Sequence, residues 1–362
     1  MPTLHQFVST LEPGATGGHA VEIQRLLRSQ GWHSELFWHD AKPPFDTLGH
    51  DYRTYGSRIA AEPDDLLLYH VAIGSVIADW LVERSERLLL YFHNLTPAAY
   101  YDRWEPFAAY ACTWGRTQLR QLAGRTTLAM AASEFSQREL LEVGYLDTAV
   151  VPILLDTAQF HSKVDSATLE RLEKERAGGG TRWLFVGRLS PNKTQEDIIK
   201  AFWLYRRVYD PDARLALLGG PARSTYGAAL QRYVEELDLG GAVDLTGGVA
   251  EGVKVAYLRT ADVFVYLSEH EGFGVPILEA WHHDVPVVGF DAGAIAEVAG
   301  DAALILSDKS APAVAAAVQR VQTDTDLRDR LIARSRQRRQ VFSLEQAQAR
   351  FLDAVARVRP RS

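Results

Sequence analysis

Short apolar runs alternate along the chain with longer stretches whose apolar residues recur every three or four positions, and the alternation is played through twice. Apolar runs of a few residues bounded by turn residues predict strands, and the longer periodic stretches predict helices. In the first half the predicted strands are His5–Ser9, Glu35–Trp38, Leu66–Tyr69, Leu88–Phe92, Leu128–Ala132 and Ala149–Ile153, with helical patterns such as Ala20–Gln30 and Thr96–Gly124 between them, the latter long enough for one helix or two. The second half repeats the scheme, with strands at Trp183–Val186, Arg214–Leu218, Val243–Leu245, Val263–Ser268, Val285–Phe290 and Ala303–Leu306. Its helices are predicted over Thr194–Tyr209, Tyr226–Leu239, Pro276–His283, Ala311–Thr323 and Asp326–Arg339.

Strand–helix alternation of this kind makes parallel sheets with crossover helices. The expected fold is therefore α/β, with two Rossmann-like domains in series. The join falls within Asp156–Arg182, where a charged helix, Ser166–Arg176, is followed by Gly178-Gly179-Gly180. The expected domains are residues 1–155 and 156–343. Residues 344–362 carry helical apolar spacing at Ala347, Phe351, Ala354 and Val358, and this last helix is expected to pack back toward the first domain. Open α/β domains place ligands at the C-terminal ends of their strands, and two in tandem are expected to face a shared cleft.

Composition narrows the function classes. A chain of 362 residues is long enough for two domains with separate cores, and 47% apolar with 23% charged residues argues against long disorder. The single cysteine, Cys112, excludes an intrachain disulfide framework and any cysteine-based zinc or iron–sulfur cluster. A formal charge of −7 argues against nucleic acid as the main partner, yet leaves room for a local phosphate site. Met1–Gly14 holds Pro2, His5 and Glu12 where a signal peptide needs a basic and then apolar start, and no run of about eighteen apolar residues occurs, so a cytoplasmic location is expected.

Two segments carry most of the chemistry. Ser268-Glu269-His270-Glu271-Gly272-Phe273-Gly274-Val275-Pro276-Ile277-Leu278-Glu279-Ala280 follows a predicted strand and opens a helix, with Pro276 suited to the first turn. Glycines there let backbone approach a ligand, and the helix start favours an anion. Glu271 and Glu279 would repel a phosphate directly, so they suit hydroxyls on either side of it: a sugar on one side, a ribose on the other. In the second segment, Gly187-Arg188-Leu189-Ser190-Pro191-Asn192-Lys193, Arg188 leaves a strand end and Lys193 follows five residues later. Two cations there suit a diphosphate.

Together these residues resemble the donor-site signature of retaining glycosyltransferases of the GT-B fold, family 4 or group 1. The flanking Ala261-Asp262-Val263-Phe264-Val265, Val285-Pro286-Val287-Val288, Asp291, Gly293 and Glu297 agree with it, whereas Asp284 stands where the family usually has glycine. The resemblance implies Arg188 and Lys193, after Gly187, on the donor diphosphate and Glu279 on the ribose. It places Glu271, with Phe273, Gly274 and Val275, at the transferred sugar, and the base near Gly219-Gly220 and Gly247–Val249. It also implies a front-face retaining mechanism in which the leaving phosphate takes the acceptor proton. No metal or other cofactor is implied. A UDP- or GDP-linked sugar is the co-substrate, and the acceptor is a glycan, a lipid-linked glycan or a small molecule.

In the first half, Gly14, Gly17 and Gly18 are read as a strand-to-helix loop that the resemblance brings to the donor phosphate and acceptor. His93, at the end of the fourth strand, matches the histidine that faces the transferred sugar in many relatives. His70 holds the same position on the preceding strand. Tyr100-Tyr101-Asp102-Arg103-Trp104 reads equally as acceptor walls or as a helix burying its rings. Asp324-Thr325-Asp326 has a metal-binding form but sits between two helices and reads as an N-cap. The six arginines of Arg328–Arg339 read as a solvated helix face, with weak membrane association at the inner face of the membrane as the second reading. Two rivals stand beside the hexosyltransferase: a sugar-nucleotide epimerase on the same scaffold, and a silent sugar-nucleotide-binding module.

Overall fold

Among the described residues, thirteen strands form two wholly parallel sheets, each ordered outward from a central pair. The computed structural model describes residues 1–59, 61–62, 64–222 and 224–358, and its contacts divide into two units: Met1–Asp156 together with the C-terminal segment from Phe342, and Thr157–Val341.

The first unit holds β1 (Leu4–Leu11), β2 (Leu36–Ala41), β3 (His50–Asp51), β4 (Leu66–Val71), β5 (Arg87–Phe92), β6 (Thr126–Ala131) and β7 (Thr148–Val150), in the spatial order β3-β2-β1-β4-β5-β6-β7. Its helices are α1 (Ala15–Ser29), α2 (Val76–Val82), α3 (Pro106–Ala123) and α4 (Glu134–Val143). Every residue of β4 is buried, as a strand covered by helices on both faces requires. Phe7, Phe37, Tyr69, Leu90 and Leu119 lie at the heart of its core.

The second unit repeats the plan with β8 (Arg182–Val186), β9 (Arg214–Leu218), β10 (Val243–Gly247), β11 (Val263–Tyr266), β12 (Val287–Phe290) and β13 (Leu304–Leu306), ordered β10-β9-β8-β11-β12-β13. Around them lie α5 (Ser166–Ala177), α6 (Gln195–Val208), α7 (Thr225–Glu236), α8 (Glu251–Thr260), α9 (Val275–His282), α10 (Ile295–Ala299), α11 (Ala311–Thr323) and α12 (Thr325–Arg338). In each sheet the order reverses beside the first strand, between β1 and β4 and between β8 and β11. Such a switch point opens a crevice at the strand C-termini. The last helix, α13 (Leu344–Ala356), belongs to the first unit: Phe351, Ala354 and Val358 are buried, Arg357 pairs with Asp147, and Arg87 Nη1 donates to the Val358 carbonyl (3.1 Å).

Several expectations need correction. Helix α1 starts at Ala15 rather than Ala20, so Gly17 and Gly18 lie in its first turn and not in a loop. Glycine is a poor helix former, which hid this turn. A Cβ at Gly17 would lie 2.0 Å from the Glu12 carbonyl oxygen, so the residue is glycine because helix and strand end meet there. The stretch Thr96–Gly124 is a 3-10 turn (Ala98–Tyr100) and one helix, Pro106–Ala123, and Tyr101 is buried with Ala109 and Cys112 instead of lining a wall. The Arg328–Arg339 run is not simply a solvated face. Arg338 donates from Nε to the Val298 carbonyl (3.0 Å) and from Nη2 to that of Glu297 (2.7 Å), and Arg339 Nη1 donates to Trp281 (3.1 Å). These are carbonyls near the C-terminal ends of α10 and α9, where a cation satisfies orphan acceptors and complements the helix dipole. Asp324 does cap α12, with Oδ1 accepting from the Leu327 N–H (2.9 Å). Asp284 has φ 56°, the left-handed conformation that glycine takes most easily and aspartate tolerates, and its carboxylate pairs with Arg336 (2.6 Å).

Candidate functional site

In the second unit the loops after β8, β9 and β10 interlock through backbone. Gly187 N–H donates to Leu218 (2.9 Å), Leu189 to Gly220 (3.0 Å) and Gly219 to Gly247 (2.9 Å). Gly219 has φ 144°, and a Cβ there would lie 1.9 Å from the Gly187 carbonyl oxygen. Gly219 thus has a structural duty as well as the predicted place at the donor: it lets the loops after β8 and β9 touch main chain to main chain, while Gly187 and Gly247 join the seam through their own backbone hydrogen bonds.

The two chemistry-bearing segments are tied together beside this seam. The Glu269 N–H donates to the Asn192 carbonyl (2.9 Å), Asn192 Nδ2 to that of His270 (3.0 Å), and Thr194 Oγ1 to that of Leu267 (2.7 Å). On the other side, Ala294 N–H donates to the Glu271 carbonyl (2.9 Å), and a Cβ at Gly293 would lie 2.7 Å from Glu271 backbone. Gly274, with φ 96°, turns the chain into α9, where Val275 and Pro276 form the first turn. Phe273 is buried beneath this turn. Arg188 is exposed at the end of β8, and its carbonyl accepts from Gln195 Nε2 (3.0 Å).

Lys193 and Glu271, assigned from the sequence to neighbouring parts of one ligand, form an ion pair with each other through Glu271 Oε1. Tyr266 donates its hydroxyl to the same oxygen (2.5 Å). Burial, reinforced by the Glu271 charge, pushes the Tyr266 phenol well above its ordinary pKa, so it remains a donor. Glu279 is likewise buried, one helical turn into α9, and receives Lys254 Nζ at 2.5 Å; the same ammonium lies 2.9 Å from Glu251. Burial raises the Glu279 carboxyl while Lys254 opposes that shift. Burial pulls Lys254 down, but the facing carboxylates more than offset this and leave it raised, hence cationic. Replacing Tyr266 by Phe removes one neutral hydrogen bond to Glu271, worth about 0.5–1.5 kcal/mol, so kcat should fall up to about tenfold with the melting temperature little changed; steady-state kinetics with a melting curve reads this.

Tyr266, Lys254, Asn192 and Thr194 were not singled out in the sequence. Tyr266 lies in an apolar strand run, and Lys254 on a helix whose pattern was not recognised. A buried tyrosine hydroxyl nonetheless needs a partner, and that is the signal by which Tyr266 was findable.

In the first unit His93 directly follows β5, its N–H donating to the Val71 carbonyl (2.8 Å), while His70 lies on β4. They are in contact, His70 Nδ1 to His93 Nε2 at 3.0 Å, and His19 on α1 joins them: a ring nitrogen from each lies within 4.8 Å of the others. Burial lowers the pKa of His93 to about 3 and those of His70 and His19 well below the ordinary imidazole value. All three are neutral at neutral pH, so His93 is no standing positive charge. His282 and His283 lie elsewhere, against His161 and the Phe160 carbonyl.

Two wholly parallel sheets of Rossmann type are the fold of the GT-B glycosyltransferases. Residues 168–338, all within the second unit, match the family described as glycosyl transferases, group 1, and the chain is a glycosyltransferase. Over 280 residues, 76% of the chain and 71% of the relative, it is 25% identical to O-antigen chain mannosyltransferase B of Escherichia coli. It is 27% identical over 230 residues, 60% of the chain, to a GDP-mannose-dependent alpha-(1-6)-phosphatidylinositol monomannoside mannosyltransferase of Mycobacterium tuberculosis, spanning 57% of that protein's length. Among solved structures, HepE of Anabaena in complex with UDP-glucose (TM-score 0.75, 16% identity, 99% of this chain and 100% of that one) and sucrose-phosphate synthase of Thermosynechococcus elongatus (0.77, 18%, 99% of each) share the fold.

Proposed function

We propose that the chain is a retaining hexosyltransferase that takes its sugar from a nucleoside-diphosphate donor, with GDP-mannose the favoured donor. The observation that carries the reading is the placement of Lys193, Glu271 and Glu279 with Lys254 around one strand-to-helix turn at the switch point of the second sheet. Arg188 and Lys193 hold the diphosphate, aided by the N–H groups that open α9. Glu279, fixed by Lys254, accepts from the ribose hydroxyls. Glu271, Phe273, Gly274 and Val275 meet the sugar, and Gly219 and Gly247 lie toward the base. Gly17 and Gly18 on α1 serve the acceptor side, and His93 bonds a sugar hydroxyl. Charge held on the leaving diphosphate is the main catalytic contribution.

Relatives named as mannosyltransferases, two kinds of them as GDP-mannose-dependent, support mannose and guanine. Their names also support a glycan or glycolipid acceptor. Among the described residues no helix is long and apolar enough to cross a membrane, and we place the reaction in the cytoplasm or at the inner membrane face.

The test is a thermal-shift panel of UDP- and GDP-sugars followed by turnover. A donor at 100 times its Kd should add about 2.7 kcal/mol of stability. GDP-mannose is expected to give the largest shift, and to be hydrolysed slowly without epimerising when no acceptor is present. Activity should survive EDTA, because cations of the chain do the work of a metal on the diphosphate. Epimerised donor, or complete loss with EDTA and rescue by Mn²⁺, would overturn the reading.

A further inference from the structure

The clustered histidines of the first unit, His19 and His70 buried and His93 half-buried, are ordered by their neighbours. Gln6 on β1 donates from Nε2 to the Ala20 carbonyl (3.1 Å), which turns its amide oxygen toward His70. That oxygen lies 2.9 Å from His70 Nε2. An amide oxygen only accepts, so the proton of His70 is on Nε2. A neutral imidazole then has a bare Nδ1, and this atom lies 3.0 Å from His93 Nε2, which must supply the proton of that bond. His93 is left with a bare Nδ1, buried and without a partner among the described residues. The direction of every proton follows from one carbonyl on α1.

We infer that Gln6 and His70 are positioning residues that fix His93 in the Nε2–H tautomer and hold its Nδ1 ready to accept a hydroxyl. The chain crosses three adjacent strands, β1, β4 and the end of β5, at the switch point of the first sheet. Burial keeps His70 and His93 uncharged, so no second proton blurs the order. That the hydroxyl belongs to a sugar rests on the proposed function; the tautomer does not.

The same logic excludes the obvious rival, a three-histidine metal centre. His19 Nδ1 accepts the Leu154 N–H at 2.8 Å, so the ring proton of His19 is on Nε2. To bind an ion through Nε2 it would have to become an imidazolate, and His70 Nδ1, the remaining bare nitrogen of that ring, is already occupied by the proton of His93 Nε2. The cluster is a hydrogen-bonded chain with a donor left over on His19 and an acceptor left over on His93.

The experiment is long-range ¹H–¹⁵N spectroscopy of the full chain labelled in histidine, at neutral pH, with His93 signals identified by their loss in His93→Asn. Bare and protonated ring nitrogens resonate far apart, so the tautomer is read directly. The expected result is a bare Nδ1 and a protonated Nε2 on His93, unmoved by one equivalent of Zn²⁺. The opposite tautomer, a charged ring, or ring protons displaced by zinc would overturn the inference. In Gln6→Leu the oxygen is gone, and a protonated His70 Nε2 would face a methyl group. The proton should move to His70 Nδ1, and that of His93 to Nδ1. With this reversal kcat should fall about tenfold while donor KM stays within about twofold, as for one lost neutral hydrogen bond. An unchanged His93 tautomer in a folded Gln6→Leu would also overturn it. If that variant does not fold, the unsubstituted protein and zinc still decide. Failure of glycosyl transfer itself would leave these spectra untouched.

Discussion

Lys193→Ala should lower kcat/KM for the donor by about 10- to 150-fold, and with Arg188→Ala the combined loss should reach about 100-fold or more. Each substitution removes a charge-assisted contact worth about 1.5–3 kcal/mol to a diphosphate whose charge grows as the sugar leaves. The two should differ in stability. Arg188 is exposed, so its loss should hardly move the melting temperature. Lys193 is the cation beside Glu271, whose side chain is only 9% exposed, and its loss leaves the neutral Tyr266 hydroxyl on that oxygen with no ammonium beside it. Removing one partner of a buried pair costs more than an exposed contact. Lys193→Ala should therefore melt several degrees lower, and donor should not restore it. Normal turnover in the double variant would sink the assignment of the diphosphate site.

The two glutamates should separate in kinetics. The ribose does not change during the reaction, so Glu279→Gln removes binding common to ground and transition states and should raise donor KM about tenfold with kcat nearly constant. The sugar flattens and gains positive charge as its bond to phosphate breaks. Glu271→Gln keeps the shape but removes a negative charge that matters most at that moment, so kcat should fall about 100-fold, far more than KM rises. Nucleotide binding measured by calorimetry beside initial rates checks both. Lost GDP affinity in Glu271→Gln with unaltered affinity in Glu279→Gln would mean that the donor lies the other way round.

Much of this architecture was legible because parallel strands buried on both faces write themselves as unbroken apolar runs. Leu66–Tyr69 and Val263–Tyr266 are examples, and the Gly and Glu positions after the latter stand out against them. What stayed hidden depended on contacts distant in sequence. Nothing near Lys254 says that it faces Glu279, 25 residues on and in another helix. The two glycines in the first turn of α1 read as loop by local propensity, whereas at Gly17 it is the close approach to Glu12 that requires glycine. His5, Gln6 and His70 did leave a trace: polar residues inside otherwise apolar strands are buried, and buried polar groups must be answered by partners. Read for its exceptions as well as its runs, the strand pattern already marked the neighbourhood of His93.

The glycine seam has a bearing on how this molecule tolerates change. The loops after β8, β9 and β10 hold one another by main-chain hydrogen bonds, and between the first two the backbones lie so close that no Cβ could be added at Gly219. An insertion or deletion in any one therefore shifts the other two, and natural drift or a combinatorial library that alters loop length there is penalised three times over. Retuning this protein for a different nucleobase would proceed by exchange of residues in a frame of constant length.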